Sequence, residues 1–178
     1  MLKNKIKSKG GFTLAETLLA VLIMVLVAGI VAGGIPAARN AYEKVVIASN
    51  AELLLSTTIS ALRNELGTAK DIVPDNNGTT ITYFNETRGA ASKIYLGTGP
   101  QTILLQRYVK LNGIGKDSDP VWLVSRSAST KQLYVTYDSV SYSETNGIIT
   151  FKTLQVKNVN TGRTLTKVDQ VSIRVLSA

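Results

Sequence analysis

Residues 17–38 carry no charged side chain, an unbroken run of 22 residues that is almost wholly aliphatic between residues 18 and 35. A helix needs about 20 such residues to cross the hydrocarbon of a bilayer, so the run predicts a membrane-spanning helix. Lys3, Lys5, Lys7 and Lys9 precede it, and charge is sparse just after it. That asymmetry predicts a single-pass chain with its N-terminus in the cytoplasm and its C-terminal part outside. Glu16 stands at the edge of the apolar run. A carboxylate beside hydrocarbon is costly unless something pairs with it, so Glu16 reads first as a functional residue.

The residues around that carboxylate are Gly11-Phe12-Thr13-Leu14-Ala15-Glu16. A basic leader, then Gly-Phe-Thr-Leu-x-Glu, then an apolar helix resembles the N-terminal segment of the type IV pilin and pseudopilin superfamily. The resemblance covers roughly residues 3–36. It implies that a prepilin peptidase cuts between Gly11 and Phe12 and N-methylates Phe12, so that Glu16 becomes the fifth residue of the mature chain. Ala15 stands where the family usually has a larger aliphatic residue. As partners the resemblance implies other pilin or pseudopilin subunits, an inner-membrane assembly platform with its ATPase, and membrane lipid; it implies no cofactor. The chain would reside in the cell membrane and, after assembly, in an extracellular filament serving adhesion, motility, protein secretion or DNA uptake in competence.

Charge arithmetic agrees with such processing. Cleavage would expose an α-amino group on Phe12, with Glu16 the nearest counter-charge, either in the same chain or presented to a neighbour's terminus. Two charges near hydrocarbon are tolerable only as a pair. An assembling helix would therefore carry its own register mark. An ordinary signal anchor leaves Gly-Phe-Thr-Leu without a purpose. A secretory signal peptide cut near Ile35-Pro36-Ala37-Ala38 would discard the motif altogether. The rival of another class is a single-span, membrane-anchored extracellular binding domain that does not polymerise.

Gly29, Gly33, Gly34 and Pro36 crowd the far end of the apolar run. The four-residue spacing of Gly29 and Gly33 permits close helix–helix contact. Pro36 removes a helix hydrogen-bond donor, and the resemblance implies that this stretch melts on assembly. Past Pro36 the helix should resume, because residues 39–66 contain neither glycine nor proline. Leu55, Ile59, Leu62 and Leu66 recur at helical spacing and mark one apolar stripe. Gly67 stands where a helix-terminating residue belongs. A helix over residues 12–66 would be about 80 Å long at roughly 1.5 Å per residue.

Residues 67–178 change to a strand-and-turn texture. Runs at 79–84, 103–111 and 121–124 are β-rich, while Leu133, Val135, Tyr137 and then Val171, Ile173, Val175 alternate with more polar neighbours. Asn146-Gly147 between two such runs predicts a hairpin, and Thr161-Gly162 a second turn. Residues 75–80, 86–93 and 113–120 read as loops. The expectation is an α+β fold with one antiparallel sheet packed on the helical stripe. The parts are a leader (1–11), a membrane or filament-core helix (12–38), an amphipathic helix (39–66) and an extracytoplasmic β-rich domain (67–178).

Composition narrows the chemistry. The chain has no cysteine, and it has no histidine, which removes the commonest general base and the commonest transition-metal ligand. No phosphate-cradling loop or activated nucleophile is apparent, so no enzymatic activity is expected. Net charge is +8, but four of those charges lie in the leader, leaving a formal +4 over the remainder. That is too diffuse to support nucleic-acid binding. Asp117 and Asp119 form a weak calcium candidate. Lys116 beside them, and no glutamate closing the loop, favour a solvated turn.

Overall fold

A computed structural model describes residues 13–98, 102–108, 118–125 and 132–176. Its one helix among the described residues, α1, runs Leu14–Leu66. The chain divides into two compact units, Met1–Val45 and Val46–Ala178, and α1 contributes to both.

In the first unit, every described residue from 13 to 45 is exposed. The helix continues through Pro36 without a break. A stretch within α1 is long and apolar enough to cross a membrane.

In the second unit, α1 becomes one-sided. Ala51, Leu54, Leu55, Thr58, Leu62, Glu65 and Leu66 are buried, a face repeating every three to four residues. Leu55, Leu62 and Leu66 of the expected stripe lie on it, and Ile59 packs partly buried at its margin. The helix stops at Gly67, whose amide donates to the Arg63 carbonyl at 2.9 Å. A Cβ added at Gly67 would meet that same oxygen at 2.8 Å, so no larger residue fits without a shift.

Among the described residues nine antiparallel strands complete this unit: β1 (Ala69–Pro74), β2 (Thr80–Asn85), β3 (Ala90–Leu96), β4 (Ile103–Arg107), β5 (Val121–Trp122), β6 (Leu133–Thr136), β7 (Ser139–Ser143), β8 (Ile148–Asn158) and β9 (Thr164–Arg174). They form two sheets rather than the single one expected. One has the order β1-β2-β3-β4-β5; in the other, β8 pairs with both β6 and β7 and also with β9. Periodicity tells which side of a strand is apolar but not which strands share a ladder, so the division was not legible in the sequence. Within the second sheet, β7 pairs with residues 148–152 of β8 and β6 with residues 155–158. Between those segments Thr153 takes φ 52°, a left-handed conformation rare for a β-branched residue. Phe151 and Leu154, three apart, are both fully buried, so the inward alternation of the strand is reset across that kink.

The segment 86–93 also departs from expectation, because Ala90–Lys93 belong to β3. Ala90, Ala91 and Ser92 have little intrinsic strand preference. Pairing with β2, joined from Ser92 onward by pairing with β4, holds them in the ladder, so context overrides propensity. β1 was likewise hidden, since Lys70-Asp71 interrupts alternation and Asp71 sits at φ 49° inside a register irregularity.

Ile81, Ile94 and Leu105 from the first sheet share one hydrophobic core with Val135, Phe151 and Ile173 from the second and with the α1 face. The Tyr137 ring meets Phe151 edge-on at 5.2 Å. The Tyr137 hydroxyl donates to the Thr79 carbonyl at 2.7 Å, and the Val140 amide donates to the Gly78 carbonyl at 2.7 Å. These two bonds join the sheets at the β1–β2 turn. Gly78 is required there, having φ +65° with the Val140 oxygen 3.2 Å from where a Cβ would stand. The expected hairpins are present at both turns, joining β7 to β8 and β8 to β9.

Candidate functional site at the head of the long helix

α1 begins immediately after Thr13, and the first four amides of any helix lack partners within it. Thr13 and Glu16 answer this reciprocally. The Thr13 amide donates to Glu16 Oε2 at 2.8 Å and the Thr13 hydroxyl donates to the same oxygen at 3.0 Å. In return the Glu16 amide donates to Thr13 Oγ1 at 3.3 Å. This is a capping box, the Ser/Thr-x-x-Glu pattern that sets where a helix starts. The Thr17 hydroxyl adds a bond to the Leu14 carbonyl at 2.8 Å. The sequence contained this signal in Thr13-Leu14-Ala15-Glu16, although the capping role of Thr13 was not read from it.

The cap does two things at once. It completes the helix terminus, and it holds the carboxylate beside the Thr13 amide, one peptide unit from residue 12. A negative charge at this end also complements the helix dipole. Gly11 and Phe12 themselves lie outside the described residues.

Beyond the cap, Leu18, Leu22, Val25, Leu26 and Ile30 are all exposed. Apart from the helix's own backbone, no described atom lies within 4 Å of where a Cβ would stand at Gly29, Gly33 or Gly34, so no described neighbour requires a glycine there. Helix packing against another molecule and melting on assembly are each compatible with that openness. At the end of the apolar run, Arg39 pairs with Glu43 one turn later at 3.0 Å, both well exposed.

The second carboxylate of interest, Glu65, was not anticipated. It occupies the last turn of α1 and is 7% exposed. The Tyr83 hydroxyl donates to it at 3.0 Å, Asn85 Nδ2 at 3.1 Å, and the Arg88 guanidinium completes the set. Burial, reinforced by Glu65, pushes the Tyr83 phenol well above its usual range. The hydrogen bond to Glu65 likewise holds Arg88 above its ordinary value. An acid at a helix C-terminus opposes the dipole, and these three donors offset that cost. Its position between Leu62 and Leu66 was the available clue, because a residue at that angle must face the core.

Asp117 lies outside the described residues, and Asp119 is exposed. Between them Ser118 serves as a structural tie: Gln106 Nε2 donates to its carbonyl at 2.8 Å, and its amide donates to the Tyr108 carbonyl at 3.2 Å. Among the described residues no group of three or more potential metal-ligating side chains comes together. Comparison with known proteins finds no matching family model, no matching curated protein and no matching solved structure.

Proposed function

We propose that this chain is a prepilin-type subunit of a type IV pilus-like filament or of a secretion or competence pseudopilus. The supporting observation is the pairing of a capped carboxylate, Glu16, with a helical shaft that none of the described residues covers. In this reading the shaft resides in the cell membrane until assembly and in the filament core afterwards. A prepilin peptidase hydrolyses the Gly11–Phe12 bond, and N-methylation of the freed amine preserves its positive charge. Glu16 neutralises that charge. Because each carboxylate can satisfy one amine in a low-dielectric interior, the pair sets the axial stagger of neighbouring subunits. The assembly platform and its ATPase supply the work of extraction, and the second unit, with a core of its own, is presented at the filament surface.

The test is Glu16→Gln, which retains size and polarity but removes the charge. The variant should insert and be cut at Phe12 as wild type is. The ratio of sheared extracellular filament to membrane-retained mature protein should fall at least tenfold. An unchanged ratio, with filaments present, would remove Glu16 from assembly. No filament in either strain while the machinery is expressed would favour the anchored binding domain instead.

A further inference from the structure

The edge of the second sheet carries a feature independent of the filament reading. β9 is 11 residues long, contains no proline or glycine, and has β8 as its one paired strand among the described residues. Its other side therefore presents a row of backbone donors and acceptors, which is a template for another strand. Natural edges usually blunt such a template with like charges, prolines or bulges. β9 has a register irregularity only at its N-terminal end, where Val156 pairs with Thr166 but Lys157 with Thr164; past it the strand carries one charge of each sign near its centre, Lys167 and Asp169, exposed by 57% and 82%. Lys167 Nζ donates to Asp169 Oδ1 of its own strand at 2.9 Å. At that exposure the pair contributes little, so exchanging partners costs little.

We propose that this edge docks a second copy of the same chain, β9 against β9, antiparallel about a two-fold axis at Val168. In that register Lys167 lies opposite Asp169 of the second copy, and Asp169 opposite its Lys167. Next to them Thr166 lies opposite Gln170, and the residues beyond, Leu165 and Thr164 at the register irregularity and Val171 and Ser172 across from them, carry no charge. Moving the axis one residue either way sets Lys167 against Lys167 or Asp169 against Asp169, which is destabilising directly across a ladder. Charge thus selects the register while the backbone ladder supplies the attraction. A two-fold contact closes on two copies, so the species it forms is a dimer rather than a propagating array.

The chain contains no cysteine, so introduced thiols are unambiguous. Full-length Lys167→Cys and Asp169→Cys chains bearing different tags are co-expressed and oxidised in membranes. Directly opposed residues are about 4.5–5.5 Å apart at Cα, within disulfide reach. Diagonal neighbours are about 7–8 Å apart, beyond it. The mixed 167–169 cross-link should exceed either homotypic cross-link at least fivefold. In a second arm, wild type, Lys167→Asp and the double exchange Lys167→Asp/Asp169→Lys are compared as purified full chains by sedimentation. The single reversal should weaken dimerisation at least fivefold and the double exchange should restore it. Equal yields of all three cross-links, or dimerisation indifferent to the single reversal, would overturn the proposal. Protection of the β9 amides from exchange without any self cross-link would overturn it too, giving the edge to a strand of a different chain.

Discussion

From residue 13 to 45 every described side chain is exposed, whereas from residue 46 onward α1 buries Ala51, Leu54, Leu62 and Leu66 almost completely. The contrast does not come from helix propensity, since both stretches belong to the same unbroken element. It comes from the arrangement of apolar residues: all round the axis in the first stretch, on one face in the second. An all-round apolar helix needs lipid or other helices as its solvent, while a one-sided helix can be satisfied by its own chain. The two acids show the same division. Among the described residues Glu16 is bonded only within its own first turn, whereas Glu65 is tied to two side chains of β2 and one of the turn that follows β2.

Placing the same charge in each stretch should have opposite consequences. Leu62→Asp puts an unpaired carboxylate into the core and should cost the second unit about 4 kcal/mol, enough to unfold a marginal domain. The fragment beginning at residue 40 is the sample, followed by circular dichroism on heating. Leu26→Asp in the full chain should leave the melting of the second unit unchanged and instead lower its retention in the membrane fraction. If Leu62→Asp melted with its parent, the assignment of the buried face would be wrong. If Leu26→Asp shifted the melting as well, the two units would not be separate in stability.

Glu65 sharpens the comparison at the other end of the helix. Glu65→Ala strands the Tyr83 hydroxyl, Asn85 and Arg88 without their shared acceptor. Removing one member of a buried ion pair costs about 3–5 kcal/mol. Arg88 is 30% exposed and can recover some hydration, so a loss of about 2 kcal/mol is expected here. Glu65→Gln keeps an acceptor for Tyr83 and should lose less. The denaturant midpoint of the same fragment measures both. A midpoint unmoved by Glu65→Ala would mean that the last turn is held by Leu62 and Leu66 alone.

Much of this was legible in the sequence because it is local. The uncharged run, the stripe at Leu55, Leu62 and Leu66, the stop at Gly67 and the Asn146-Gly147 hairpin each rest on residues a few positions apart. What escaped reading depends on distant partners. Ala90–Lys93 look like loop until β2 and β4 flank them, and Glu65 looks like a surface residue until Arg88 arrives from 23 positions away. The inward face of β8 could not be followed through Thr153, because its positive φ breaks the two-residue rule that strand reading relies on. At the candidate site the legibility was uneven. Glu16 was singled out by its cost near hydrocarbon, while Thr13 as its holder became apparent only from the hydrogen bonds.

That holder gives the smallest and most local test. Thr13→Val keeps the shape of the side chain and the backbone amide but removes two of the three bonds of the capping box. Losing an N-cap hydroxyl costs about 1 kcal/mol, roughly fivefold in the local opening equilibrium. Amide exchange of the full chain in lipid nanodiscs should therefore show Glu16 exchanging about fivefold faster, because its amide loses the Thr13 oxygen as acceptor. Thr13→Ser should restore the wild-type rate, since a serine hydroxyl can make the same bonds. The second unit should melt identically in all three chains, because α1 feels its cap only within the first turn. If valine and serine behaved alike, Thr13 would be a spacer, and the carboxylate of Glu16 would owe its position to something other than the cap.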